Sequence, residues 1–271
     1  MTTVTQRALV GDGHVELDAD LATRTERAVA LIRDFAPQDR PYYLCFSGGK
    51  DSIVCRHLLD MAGVDYTAHY NVSTLDPPEL IYYLREYHPD VQWVRATSKC
   101  LPAYMIDKLW PPMRQQRWCC EIYKEKGGDG EFMVLGIRRA ESVGRRNRRL
   151  IELCPSRQAR KLHPILHWSD EDVWAFIRKH DLPYCCLYDE GFRRLGCIGC
   201  PMAGAKQVRT QFARWPGYER LWRRWFGRLL EHRAAKGLDT TFLDADEFFQ
   251  WWVSGQKPNA DDDQTCLAFD N

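Results

Sequence analysis

Tyr42-Tyr43-Leu44-Cys45-Phe46-Ser47-Gly48-Gly49-Lys50-Asp51-Ser52 is the stretch that decides the fold. Tyr42 to Phe46 is a short apolar run bounded by Pro41 and Gly48, the pattern of a buried strand. A helix is predicted from about Ser52 to Ala62, with Gly63 as its stop. Between them, Gly48 and Gly49 permit backbone angles closed to other residues and let main-chain N–H groups approach a ligand. The helix N-terminus adds unpaired N–H groups and the positive end of its dipole, so the turn is a ready anion site. Lys50 contributes a point charge, and the Ser47 and Ser52 hydroxyls can donate hydrogen bonds. Asp51 would repel a bare anion, but it fits if it holds Mg2+ against a polyphosphate. The bland alternative is a glycine-rich turn with an exposed Lys-Asp pair, and the strand–loop–helix setting argues against it. It is not a Walker A loop, because the four-residue gap between glycines is absent.

Outward from this turn, strands alternate with helices. A first helix is expected from Leu21 to Phe35, starting near Asp18 or Asp20 and broken by Pro37. Strand-like Tyr66 to Tyr70 is followed by a helix opened by Pro77-Pro78-Glu79 and running through Tyr87. Val91 to Val94 reads as a third strand and Phe132 to Leu135 as a fourth. Ser169 is placed as the N-cap of a further helix with acidic residues in its first turn. Such alternation predicts an α/β fold with a doubly wound, mainly parallel sheet. Beyond Leu195 the pattern is helical, a C-terminal appendage rather than a second sheet. The expected division is 1–37 as arm and helix, 38–195 as the α/β domain, and 196–271 as a Cys-x-x-Cys turn with helices.

Eleven cysteines in a chain whose start lacks an apolar signal core suggest metal ligation or small buried hydrophobes rather than disulfides. Cys119-Cys120 and Cys197-x-x-Cys200 can form one four-sulfur site, suited to zinc or an iron–sulfur cluster. Adjacent ligands suit a cuboidal cluster better than one tetrahedral ion, since their sulfurs need not converge on a single centre. Cys185-Cys186 could replace the first pair, but its surroundings, Pro-Tyr-Cys-Cys-Leu-Tyr, read as packing. Cys45, Cys55, Cys100 and Cys154 read as core or near-core residues. Cys266 reads as incidental, with a mobile sulfur-relay thiol as the sharper alternative. No stretch approaches eighteen apolar residues, which excludes a membrane-spanning helix and, with the bare N-terminus, predicts a cytoplasmic protein.

The net charge is only +1, yet residues 138–161 and 206–236 each hold nine Lys or Arg against two acidic residues. These blocks suggest a surface for a polyanion, balanced by acids such as Asp261-Asp262-Asp263. In the second block Leu221, Trp222, Trp225, Phe226, Leu229 and Leu230 form a helical apolar stripe, read as core. Its arginines could track a nucleic-acid backbone, with Phe212, Trp215 and Tyr218 available for base stacking. A merely solvated face accounts for the charges equally well.

Ser47-Gly-Gly-Lys-Asp-Ser52 resembles the signature of the PP-loop ATP pyrophosphatases, which split ATP between its α and β phosphates. The flanking chain is similar to their phosphoadenosine-phosphosulfate reductase-like branch, and specifically to iron–sulfur members such as the DNA-phosphorothioation ATP pyrophosphatases. The pieces that carry the likeness are Asp76-Pro77-Pro78-Glu79, Arg117-Trp118-Cys119-Cys120 with Lys124, and Gly136-Ile137-Arg138 with Glu141-Ser142 and Arg145. Pro164-Ile165, Asp172-Val173-Trp174 and Gly196-Cys197-Ile198-Gly199-Cys200-Pro201 complete it.

The resemblance implies adenine near Phe46, Asn71 and Val72, phosphates near Gly136, Arg138 and Arg145, and Mg2+ on Asp51 with Asp76. It also implies a [4Fe-4S] cluster on Cys119, Cys120, Cys197 and Cys200. The expected activity is adenylylation of a substrate with ATP for sulfur transfer, with nucleic acid as a candidate acceptor. A sulfur-donor protein such as a cysteine desulfurase would be the partner. Two alternatives stand beside it: an adenylylsulfate or phosphoadenylylsulfate reductase, and a non-catalytic nucleotide-binding partner. The family's reductases carry a degenerate loop and act through a late Glu-Cys-Gly-Leu-His motif. Here the loop is intact and the late cysteine sits in Gln264-Thr265-Cys266-Leu267-Ala268, without the glycine or histidine.

Overall fold

The computed structural model describes residues 20–255 except Lys126, Asp239 and Thr240. Cys266, the acidic run at 261–263 and the arm before residue 20 lie outside the described residues. The described chain divides into two compact units. One holds residues 20–72, Pro78–Arg95 and Lys126–Leu195; the other holds Ser73–Pro77, Ala96–Glu125 and residues 196–255. Ala96–Glu125, which carries Cys119 and Cys120, therefore groups with the residues after Leu195 rather than with the sheet.

The first unit opens with α1 (Leu21–Asp34), whose N-cap Asp20 accepts a bond from the Thr23 N–H at 2.8 Å. Such a cap stabilises a helix by about 1 kcal/mol. Strand β1 (Tyr42–Cys45) leads through the glycine turn into α2 (Lys50–Ala62), which ends on Gly63 in the left-handed conformation. Next come β2 (Tyr66–Asn71), α3 (Pro78–Tyr87), β3 (Gln92–Val94) and β4 (Phe132–Val134). Outside this unit the chain forms α4 (Tyr104–Lys108) and α5 (Trp118–Tyr123). Two strands follow that the sequence pattern did not reveal, β5 (Ile151–Cys154) and β6 (Ala159–Leu162). They fall in the arginine-rich block, where charged side chains obscure period-two alternation and Leu153 stands exposed on the edge.

The sheet order is β3-β2-β1-β4-β6-β5. Every pairing is parallel except β5 with β6. The chain moves outward from β1 to β3 and then returns to the other side of β1 with β4. That reversal opens a crevice beyond the carboxyl ends of β1 and β4, where such sheets bind ligands. Helix α6 (Asp170–Lys179) has the capping box expected at Ser169: the Asp172 N–H donates to Ser169 Oγ at 3.0 Å, and the Ser169 N–H donates to Asp172 at 2.7 Å. Asp172 also pairs with Arg24 at 2.8 Å, fastening α6 to α1.

Two contacts hold the crevice in shape. A Cβ added at Gly136 would lie 2.8 Å from both the carbonyl carbon and the oxygen of Asp51, so the exit of β4 and the first turn of α2 touch backbone to backbone. Beneath the loop, Phe46 packs edge-on against His88, whose ring lies in a complete hydrogen-bond relay. Arg56 donates to His88 Nδ1 (3.1 Å), Nε2 meets the Tyr83 hydroxyl (2.8 Å), and Tyr83 donates to the Pro183 carbonyl (2.8 Å). Only the neutral ring protonated at Nε2 satisfies all three, because Arg56 can only donate. Burial, and then the Arg56 charge, push His88 down to about 4.

The second unit adds α7 (Ala205–Arg214), α8 (Pro216–Ala235) and α9 (Ala245–Ser254) to α4 and α5. Of the expected stripe, Trp222, Phe226 and Leu229 of α8 are buried and Leu221, Trp225 and Leu230 half-buried; Trp222 packs on Trp252 of α9, and Phe226 on Phe248 and Phe249. Arg233 continues that buried face; its guanidinium lies over Trp110 and donates to the Leu109 carbonyl at 2.8 Å. Phe212 and Trp215 are buried as well, which corrects the expectation that they are available to stack on bases. Tyr218 donates its hydroxyl proton to the Asp76 carbonyl at 3.0 Å. No described helix is long and apolar enough to cross a membrane.

Gly136→Ala should lower stability by about 1–3 kcal/mol, since backbone cannot step aside as a side-chain end can; an unchanged urea midpoint would contradict the contact. For His88 the unfolded ring takes up a proton near pH 6.5, whereas the folded ring does so only near 4. Its contribution is therefore complete above 6.5 and lost as pH falls toward 4. Between pH 7 and 5 the loss should be about 2 kcal/mol, and His88→Gln should flatten that part of the urea-measured profile.

Candidate functional site

The turn between β1 and α2 is built for close backbone approach. Gly48 has φ of 71°, a left-handed angle that suits glycine, and a Cβ there would meet Leu84 and Leu80 of α3 within 3 Å. Gly49 is the N-cap of α2 and has no side chain to cap it. Ser47 Oγ accepts from the Gly49 N–H at 3.3 Å and lies 3.2 Å from Ser52 Oγ, which donates to the Gly49 carbonyl at 2.8 Å. The two serines expected as phosphate donors thus also fix the turn.

Lys50 and Arg138 are almost fully buried, at 3% and 2% exposure, and each reaches the same two carboxylates. Lys50 Nζ lies 3.3 Å from Asp51 and 3.0 Å from Asp170. Arg138 lies 2.6 Å from Asp51 and 2.7 Å from Asp170. Burial tends to raise the Asp170 carboxyl, but hydrogen bonds from Lys50 and Arg138 outweigh it and hold the group below its ordinary range. Both oxygens of Asp51 accept from these cations, so its visible role is to orient Lys50 and Arg138. Arg145 pairs with Glu141, which also accepts from the Arg138 N–H at 2.9 Å.

A cavity of about 200 Å³ opens over this turn, lined by Ser47, Gly49, Lys50, Asp51, Ser52, Gly136 and Arg145 among the expected residues. Cys45, Glu141, Tyr188, Arg193 and Arg194 line it too. Phe46 does not: its ring is buried, and its N–H is taken by the His69 carbonyl. Asn71 ends β2, half-buried, and does not line it either. Sequence reasoning missed Asp170 and Tyr188, whose hydroxyl accepts from the Lys50 N–H at 2.9 Å. An acid in a helix's first turn is ordinarily read as a dipole partner, and nothing in the spacing marks Tyr188.

In the second unit, Cys119 and Cys120 sit in the first turn of α5, while Cys197 and Cys200 lie in the loop before α7. That loop is held by the Gly199 N–H donating to Gln211 at 3.0 Å and by Trp222 Nε1 donating to the Ile198 carbonyl at 3.2 Å. All four cysteines line one small, mainly apolar cavity with Lys124. The Cys119 thiol, then Arg117 and Lys124 acting against burial, bring Cys120 down to about 5, and Cys119 is raised in return. Burial pushes Cys197 up to about 11 despite Lys124. Among the described residues no three His, Cys, Asp or Glu side chains converge closely enough to hold a single metal ion.

Asp76, expected near Mg2+, belongs to this unit and accepts from the Ser73 N–H and hydroxyl at 3.1 and 2.7 Å. Cys185 is packed as expected, but Cys186 is exposed at the start of a short turn, which corrects the reading of that pair as jointly buried.

The phosphoadenosine phosphosulfate reductase domain model matches residues 41–203, well over half of the chain. An uncharacterised protein of Methanocaldococcus jannaschii is 30% identical over 229 residues, 78% of this chain and 46% of that protein. The chain thus spans about half the length of that relative. An adenosine 5'-phosphosulfate reductase of Bacillus cereus is 28% identical over 187 residues, 65% of this chain and 79% of that one. Among solved structures, a phosphoadenylyl-sulfate reductase from Candida auris in a phosphate complex superposes with a TM-score of 0.51 at 15% identity. The likeness covers 66% of this chain and 95% of that one and bears on the fold alone. With its parallel sheet, its glycine turn after β1 and this match, the chain belongs to the phosphoadenosine phosphosulfate reductase domain family.

Proposed function

We propose that this chain is a PP-loop ATP pyrophosphatase that adenylylates a substrate for sulfur transfer and carries an iron–sulfur cluster. The observation that carries the first part is the buried pair of cations, Lys50 and Arg138, matched by Asp51 and Asp170 at an open anion-binding turn. A substrate oxygen attacks the α-phosphorus of ATP, the bond to the β-phosphate oxygen breaks, and pyrophosphate departs. Charge then grows on the leaving group, where Lys50 and the first amides of α2 meet it with geometry fixed in advance. Ser47, whose hydroxyl proton is not committed to the backbone, supplies a further donor, and Arg145 supplies a cation on the cavity wall. Asp51 and Asp170 are hard oxygen donors of the kind Mg2+ takes, and bound Mg2+ would neutralise polyphosphate charge.

Four thiols around one cavity, one of them already acidic, match the donor chemistry of an iron–sulfur cluster. Cys119, Cys120, Cys197 and Cys200 would hold it, with Lys124 balancing its negative charge. Such a cluster would supply electrons, sulfur or rigidity. Nucleic acid as sulfur acceptor and a cysteine desulfurase as donor complete the proposal; the exposed Arg224 and Arg228 of α8 are the surface that favours a polyanion. The Bacillus relative favours a second reading, reduction of a sulfonucleotide to sulfite in the same cavity.

Lys50→Met should reduce pyrophosphate release from ATP at least 100-fold, roughly the effect of losing one preorganised transition-state donor, with the far-ultraviolet circular dichroism spectrum retained. Unchanged turnover would remove Lys50 from the chemistry. Sulfite formed from adenylylsulfate, without AMP and pyrophosphate from ATP, would select the reductase reading instead. Purified without oxygen, the protein should contain iron and acid-labile sulfide and lose both in Cys197→Ser. Stoichiometric zinc without iron would refute the cluster.

A further inference from the structure

The cavity over the phosphate loop has a second wall, made by residues 186–195, to which the signature motif assigns nothing. Four residues of this segment line the cavity, Tyr188, Arg193, Arg194 and Leu195, and the first three carry polar groups. The Tyr188 hydroxyl stands 2.9 Å from the Lys50 N–H, the first amide of α2 and one that a phosphate would seek. It accepts that bond, so its own proton is left to donate, and no acceptor for it stands among the described residues. The ring cannot wander. It packs edge-on against Trp174 at 5.0 Å, and the Tyr188 N–H is held by the Cys185 carbonyl at 3.1 Å. Burial pushes the phenol above its ordinary value, so it remains a donor at neutral pH.

The charges on the cavity wall are unequal. Lys50 and Arg145 are cations matched by carboxylates, Asp51 and Asp170 for the first and Glu141 for the second. Arg193 and Arg194 have no ion-pair or hydrogen-bond partner among the described residues, yet both line the cavity. Counting lining groups only, four cations face two carboxylates. Uncompensated guanidinium groups beside a fixed phenol and a helix N-terminus suit an anion with several oxygens.

We propose that Tyr188, Arg193 and Arg194 form a second phosphate-binding arm, gripping the polyphosphate of the nucleotide together with Lys50. Tyr188 relays the loop: it accepts from the Lys50 amide and donates to a phosphate oxygen, while the two arginines supply charge that the internal ion pairs leave unspent. This arm deepens the ATP-using reading of the cavity and rests on it.

Calorimetric titration of the full chain with ATP, inorganic pyrophosphate and adenosine tests the arm apart from that reading. Tyr188→Phe should weaken ATP and pyrophosphate about tenfold, the scale of one hydrogen bond to a charged group, and leave adenosine unchanged. Arg193→Gln combined with Arg194→Gln should do the same and also reduce the salt dependence of pyrophosphate binding. The exposed double variant keeps the test valid if Tyr188→Phe, by orphaning the Lys50 amide, fails to fold. Wild-type binding with no selective phosphate loss in a folded variant overturns the arm alone, as does an equal loss for adenosine, which would mark a structural role. If the wild-type protein binds neither ATP nor pyrophosphate, the arm and the reading beneath it fall together.

Discussion

The first unit depends on the burial of two cations at one place. Lys50 and Arg138 are withdrawn from water, and an unmatched buried charge costs several kcal/mol. Asp51 and Asp170 match them, and each carboxylate serves both cations. This requirement brings together the start of α2, the exit of β4 and the first residue of α6, with 87 positions between Asp51 and Arg138 and 32 between Arg138 and Asp170. Gly136 follows from the same constraint, because any side chain there would push β4 away from Asp51. The capping box at Ser169 then has a purpose beyond its own helix, since it fixes where Asp170 begins. A neutral cluster of this kind holds the Lys50 amine still. It also presents carboxylates to any incoming polyanion, a conflict that a divalent cation or further arginines can resolve.

The second unit is organised by aromatic packing and sulfur. Trp222 of α8 packs on Trp252 of α9, while its indole N–H reaches the carbonyl of Ile198, next to Cys197. The cysteine loop is therefore seated on the aromatic core rather than left to find its own shape. Lys124 lines the cysteine cavity of this unit, and its charge is favoured chiefly by Cys197, with Asp76, Cys200 and Cys120 adding to it. An ammonium beside thiols stabilises their ionised form, the state in which sulfur binds metals.

Much of this was legible in the chain itself. The turn at Ser47–Ser52, the strands β1 to β4, the stop at Gly63 and the cap at Ser169 rest on local chemistry: glycine angles, proline positions and apolar runs. What local chemistry could not carry was missed. β5 and β6 lie in an arginine-rich block whose charges mask alternation. Phe212 and Trp215 look like stacking residues beside arginines, and only packing shows them buried. Arg233, in the same basic block, carries its flat guanidinium over Trp110 inside the core, a placement only packing shows. Asp170 and Tyr188 contribute to the loop through tertiary contacts across 120 and 138 positions, a distance over which spacing carries no signal.

Membership of the family leaves open which bond is broken, because one fold hosts several reactions and the site decides among them. A sulfonucleotide bears one phosphate at the loop; a nucleoside triphosphate bears three, with correspondingly more charge to place. A site for the former needs few cations and a nucleophilic sulfur. A site for the latter needs donors spread over a longer anion. Here the cations extend from Lys50 through Arg145 to Arg193 and Arg194 around one cavity. Among the described residues the thiol that lines that cavity is Cys45, which burial pushes up to about 12, a poor nucleophile at neutral pH; Cys266 lies outside them. The distribution of charge in the cavity, more than the signature at its edge, is what favours the longer anion.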